Sequence, residues 1–319
     1  MNRVIKARKL GIFSFLRPEE LLLIPFFILL VILLSVLNLK FSFLPRMSYW
    51  IAILALFYCL IFISGIIAKG IKNTLNKKRF LDPFFPGQII KFLRSWIPLI
   101  AIFVIYENLH DIIPALNLAD KDYLLLKIDL LLFGSLHPSV LLQSIVTPAL
   151  TSIMNFAYFT LFLYIPLLGG IFYFSNKEYA WNHLLFSITL TAFLGFIGYL
   201  IVPGVGPQFY IKDQYSINLD GDKINNLAFS LHESLRVSRD IFPSLHTAFS
   251  AVSLFIAYRY ARRISFLFMP FIFALWFSTI YLRYHYLVDV IAGFALAFFA
   301  FYFGDFVCKK WYGKKNQKY

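Results

Sequence analysis

The feature that most constrains this chain is a series of apolar runs, each close to the roughly 20 residues an α-helix needs to cross a hydrocarbon core about 30 Å thick. They fall near residues 21–39, 49–68, 96–113, 151–174, 183–203, 243–260, 264–282 and 287–307. Inside lipid every backbone polar group must be satisfied within its own element, so continuous runs specify helices. The runs do not alternate apolar and polar residues, which argues against a barrel. The expectation is an all-α fold, a polytopic membrane helical bundle of about eight spans. Composition agrees, with 60% hydrophobic and 14% charged residues, a mean hydropathy of +0.73, and no polar stretch long enough for a soluble domain.

The third run is the weakest, interrupted by Glu107, His110, Asp111 and Pro114. The stretch that follows, "NLADKDYLLLKIDLLLFGSLHPSVLLQSIV", is apolar but broken by Lys127, Asp129, Gly134 and Pro138. It reads as an amphipathic or re-entrant segment beside the bundle. Lys and Arg concentrate before the first run, between 69 and 94, around Lys177 and Arg259 to Arg263, and after Lys309. Positive loops stay in the cytoplasm, so both termini are expected there. Three parts follow: a two-helix membrane segment with a basic cytoplasmic loop (1–94), a membrane domain (95–308) and a basic tail (309–319). The net charge of +14 sits in juxtamembrane clusters that suit anionic lipid headgroups better than nucleic acid. The first run is a full span with no small-residue cleavage site after it, so no cleaved leader is expected. Cys59 and Cys308 are read as free thiols.

Two distant polar stretches land on the outer side of this topology. One is "FPSLH" (Phe242 to His246), closing the hydrophilic loop 204–241. The other is "STIYLRYHYLVDVIAG" (Ser278 to Gly293), which joins the last two runs. Ionisable groups at membrane depth are costly and are functional candidates by default. His285 and Asp289 lie four apart, on one helical face, so the carboxylate can orient the ring as nucleophile or base. Ser244 sits at a helix start, where a hydroxyl and free N–H groups can hold phosphate. His246 can protonate a departing oxygen. Together these residues suggest phosphoryl transfer through a phosphohistidine.

The two stretches resemble the signature blocks of the type 2 phosphatidic acid phosphatase superfamily. The resemblance implies a six-helix catalytic core with His285 attacking phosphorus, Asp289 orienting it, His246 protonating the leaving group and Ser244 holding a phosphate oxygen. Tyr281 and Gly293 match the second block as well. The sequence departs from the pattern at Thr279, where the family has arginine, and lacks the Lys-(six residues)-Arg-Pro block. "YLIVPGVGPQFY" (Tyr199 to Tyr210) and "IDLLLFGSLHPSVLLQ" (Ile128 to Gln143) are similar to the inositol phosphorylceramide synthase branch, whose members move a phospho-headgroup between lipids.

A transferring phosphoryl group wants fixed cations, and the family's usual ones are missing. Arg283 is the first candidate to replace them, then Arg239 and Arg236, with Lys212 behind. Gly206, in "PGVGP", is either a substrate contact or part of a plain helix breaker. His110 and His183 read as packing residues, His137 and His232 as turn or surface residues, and Asp129 as a local cap or partner of Lys127. The expected substrate is a membrane lipid phosphate, with no cofactor, no resident metal and no protein partner specified. Competing readings are a metal-dependent hydrolase using His246, His285 and Asp289, without a His-Glu-x-x-His pattern, and a lipid transporter, for which no internal repeat is found.

Overall fold

The computed structural model describes residues 16–42, 59–61, 63, 86–116, 118–219, 223–237 and 239–313. Its helices are α1 (Pro18–Val36), α2 (Pro86–Ala115), α3 (Asp122–Phe133), α4 (Pro148–Phe159), α5 (Leu161–Phe174), α6 (Glu178–Ile201), α7 (Lys223–Leu235), α8 (Leu245–Tyr260), α9 (Arg262–Tyr281) and α10 (Leu287–Tyr312). Among the described residues the fold is all-α, and an isolated bridge between Gly204 and Asp240 is the nearest thing to sheet. Six helical units are long and apolar enough to span a membrane: α1, the part of α2 from Leu93, α4 and α5 together, α6, α9 and α10. The expected span at 243–260 forms as α8 but is only 16 residues long, and the run at 49–68 lies almost wholly outside the described residues. The segment after 115 folds as α3 and a short helical stretch over 138–145, bent by 66°. Gly134, with φ 101°, sits at the break.

The short helix α8 is central, packing against α5, α6, α9 and α10. Its buried face carries Ala248, Ser250, Ala251, Ser253 and Ala257, small residues that let neighbouring backbones approach closely, the way helices associate in lipid. At the far end of the bundle, Asp305 receives Lys309 at 2.6 Å, Arg259 at 3.1 Å and the Tyr179 hydroxyl at 3.0 Å. Lys177 donates to the Tyr260 carbonyl there. His183 bonds the Tyr260 hydroxyl (3.0 Å) and the Phe301 carbonyl (2.8 Å), the packing role expected of it. This basic end is separated from the starts of α8 and α10 by the length of α8, about 24 Å.

Candidate active site

Three buried aspartates build the opposite end of the bundle. Asp122, at the start of α3, accepts the Val205 and Gly206 amides, each at 2.9 Å, and the Tyr286 hydroxyl at 2.9 Å. It thereby folds "PGVGP" around itself, with Gly206 at φ 92°. Asp129 accepts the first amides of α10, Leu287 at 2.6 Å and Val288 at 2.8 Å, and pairs with His137 Nε2 at 2.9 Å. Those amides are helix-terminal donors with no partner inside the helix. Asp289 caps α10 by accepting the Tyr286 amide at 2.9 Å. Its own carbonyl accepts the Ser244 amide at 3.0 Å, which ties the start of α8 to the start of α10.

That tie brings the two histidines together. The His246 and His285 rings are 6.1 Å apart between centroids, and His285 Nδ1 stands 3.5 Å from Asp289 Oδ2. His246 is stacked on Tyr158 at 4.1 Å, with the tyrosine hydroxyl 3.4 Å from Nδ1. Burial pulls His285 down to a pKa of about 4, with Asp240 and the Ile241 carbonyl opposing the shift. The ring is therefore neutral at pH 7, the form in which a nitrogen lone pair can attack.

Both rings open into one cavity of about 160 Å³. Its far half is apolar: Leu99, Ile102 and Phe103 on α2 face Phe162, Ile165 and Pro166 on α5. One turn beyond Leu99, Trp96 packs on Trp181 and Tyr173. The near half is polar, with Gln208, His232, Arg236 and Asp240 around the two histidines. Tyr106, in register with the α2 stripe at spacings of three and four, donates to Asp240 Oδ2 at 2.5 Å and accepts the Val237 amide at 3.1 Å.

The other expected site residues lie outside this lining. Ser244 caps α8, its hydroxyl accepting from Thr247 N (3.4 Å) and Thr247 Oγ1 (3.2 Å). Tyr281 is buried, with its hydroxyl 3.0 Å from that of Thr151. Arg283 turns away from the cavity at φ 66° to stack on Tyr215 and donate to the Ile217 carbonyl at 2.5 Å. Arg239 pairs with Asp120 at 2.9 Å, and Lys212 is exposed. Of the basic candidates, Arg236 lines the cavity.

Two histidines read as turn or surface residues are buried. His137 is fully buried, bonded to Asp129 and to Ser139 Oγ at 2.7 Å, with its ring edge-on to Tyr286 just before α10. His232 is buried because α7 lays it on Tyr284, ring centroids 3.7 Å apart. Asp129 likewise serves α10 and His137, a long-range role that its neighbour Lys127 had masked. Cys59 and Cys308 are free. Among the described residues no three His, Cys, Asp or Glu side chains converge as a metal-ligand group.

A membrane-type helical bundle that brings two histidines, one beside a carboxylate, to the polar end of a largely apolar cavity has the parts of a membrane phosphatase or phosphotransferase. The family model of the PAP2 superfamily matches residues 124–303, more than half of the chain, and the protein belongs to that superfamily. Its members are typically phosphatases or phosphotransferases. The match begins within α3, so α2, which supplies one cavity wall, precedes it. No curated protein and no solved structure matches the chain.

Proposed function

We propose that the protein cleaves or transfers a lipid phosphoester through a phosphohistidine on His285. The observation that carries the reading is the pair of rings 6.1 Å apart at the polar end of a cavity whose other end is apolar. The polar end of an amphiphile suits such a cavity, its phosphate between the rings and the first carbons of its tail running toward α2 and α5. Nucleophile and phosphorus approach to about 3–3.5 Å in a reactive complex, so one phosphoryl group can bridge that gap. His285 forms the N–P bond while the P–O bond to the leaving alcohol breaks, and His246, neutral in its buried site and protonated as the anionic phosphate enters beside it, gives that oxygen its proton. Water or a second alcohol then returns a proton to His246 and takes the phosphoryl group, freeing His285. Asp289, 3.5 Å from Nδ1, is placed to stabilise the charge that develops on the ring, and Arg236 lines the cavity as a cation for the phosphate oxygens.

The resemblance of residues 128–143 and 199–210 to the inositol phosphorylceramide synthase branch supports an alcohol as acceptor, hence headgroup transfer. The reaction end faces away from Lys177, Arg259 and Lys309, which supports a site on the extracytoplasmic face with both termini cytoplasmic. The test is acid quenching versus alkaline quenching after a brief reaction with phosphorus-labelled lipid phosphates and inositol phospholipids. A label on the protein that survives base but not acid, and is missing from His285→Ala, is expected. Normal turnover by His285→Ala would refute the assignment.

A further inference from the structure

Glu233 gathers three side chains from the loop between α6 and α8. Its Oε1 accepts the Gln208 amide at 3.4 Å, stands 3.3 Å from His232 Nδ1 and lies 3.5 Å from Arg236 Nη1. All three of those residues line the cavity of His246 and His285, and Glu233 stands behind them. Each is held from a second side as well. His232 is stacked on Tyr284. Arg236 lies over the Phe209 ring at 4.8 Å and donates to the Val205 carbonyl at 3.4 Å. The backbone amide of Gln208 donates to the Arg283 carbonyl at 2.9 Å.

The chemistry of this wall is mixed. Arg236 can only donate, Gln208 donates and accepts, and a neutral imidazole offers one of each. Burial lowers the His232 pKa, which keeps that ring neutral. Partial burial alone would raise the Glu233 pKa, but the His232 hydrogen bond and the Arg236 charge outweigh it and keep the carboxylate ionised. Asp240, beside them in the lining, adds an acceptor. A fully ionised phosphate presents acceptors only, so a wall built for it alone needs donors only. Hydroxyl groups both donate and accept, and they match the mixed set.

We infer that Gln208, His232, Arg236 and Asp240 form a subsite for a hydroxyl-bearing headgroup joined to the phosphate, with Glu233 as its positioning residue. Arg236 meets the phosphate, while Gln208, His232 and Asp240 meet the hydroxyls. This rests on the phosphoester reading of His285 and adds which lipids the site prefers.

The experiment uses the full chain in phosphatidylcholine vesicles containing phosphatidic acid, phosphatidylglycerol or phosphatidylinositol with identical acyl chains. His232→Phe keeps a ring against Tyr284 and removes both nitrogens, and Glu233→Gln keeps the shape and removes the charge. Each variant should lower kcat/KM about tenfold, roughly one hydrogen bond, for whichever hydroxylated lipid the wild type uses better. Phosphatidic acid, which meets Arg236 but has no headgroup hydroxyl to lose, should lose less in each variant than the hydroxylated lipid does. Equal losses on all three lipids, or none on any, overturn the subsite. Should the wild type turn over none of them, the reading of His285 fails, and binding still decides the subsite. Glycerol phosphate or inositol phosphate should then raise the melting temperature more than inorganic phosphate does, and His232→Phe should erase that difference. No such difference in the wild type overturns the proposal.

Discussion

Gly293 sits one turn beyond Asp289, where the start of α8 crosses α10. A Cβ added there would stand 2.6 Å from the Ser244 carbonyl oxygen and 3.0 Å from Thr247 Cβ. The nearest atom is backbone, so no side chain can swing aside. Opening that contact from 2.6 Å to the 3.4 Å of ordinary van der Waals contact moves the two backbones 0.8 Å apart. The same crossing holds the Ser244 to Asp289 hydrogen bond, and the two histidines ride on its two sides. Misplacing reacting groups by about 1 Å can cost about a hundredfold in rate, while overpacking a tight contact costs about 1–3 kcal/mol. Gly293→Ala is therefore expected to fold and to lose roughly 10- to 100-fold in kcat, with a smaller change in KM. Steady-state turnover of a lipid phosphate, read beside a thermal unfolding curve in the same detergent, measures both quantities. A kcat within about threefold of wild type, far below that estimate, would refute the idea that this crossing sets the spacing of the rings.

Asp129→Asn presents an NH₂ group toward donors that need an acceptor. It should lower stability by about 1–3 kcal/mol, the cost of an unpaired buried group, and an unchanged unfolding midpoint would contradict the role given to Asp129 on α10. Tyr106→Phe removes the hydroxyl shared by Asp240 and Val237; a loss of about 1–3 kcal/mol and faster proteolysis of the 203–244 loop are expected, against no change in either if the contact is idle. The lowered pKa of His285, about 4 against an ordinary 6.5, places the acid limb of kcat/KM near pH 4. The unfolded chain takes up this proton near 6.5, so the folded state keeps its full stability above that pH and loses part of it as pH falls from 6.5 toward 4. An acid limb near 6.5 would contradict burial of the ring.

The helical spans were legible because lipid demands long unbroken apolar runs, and six of those expected are helices of spanning length. The two histidines were legible as a pair because "FPSLH" and the stretch ending in Gly293 had to emerge at the same face. The choice of arginine was not. Arg283 is two residues from His285, yet its backbone at φ 66° aims the side chain at Tyr215, and chain proximity carries no such direction. Arg236 reaches the cavity through the loop between α6 and α8, a fold that local pattern does not encode. The same holds for Asp122 and Asp129, whose partners are loop and helix-end amides far along the chain. Tyr106 did leave a trace, completing the spacing Leu99, Ile102, Phe103, Tyr106 on α2.

The brevity of α8 has a consequence for how the protein meets its surroundings. Sixteen residues cover about 24 Å, some 6 Å less than a typical hydrocarbon slab. With its far end held at one bilayer surface by Arg259 and its neighbours, its near end would fall short of the opposite surface. In that placement the imidazoles would lie near the level of lipid ester linkages, so a lipid arriving sideways from the leaflet would not need to rise into water to react. On the phosphoester reading of His285, turnover is therefore expected to vary with bilayer thickness and to be fastest where acyl length brings the linkage level with the rings.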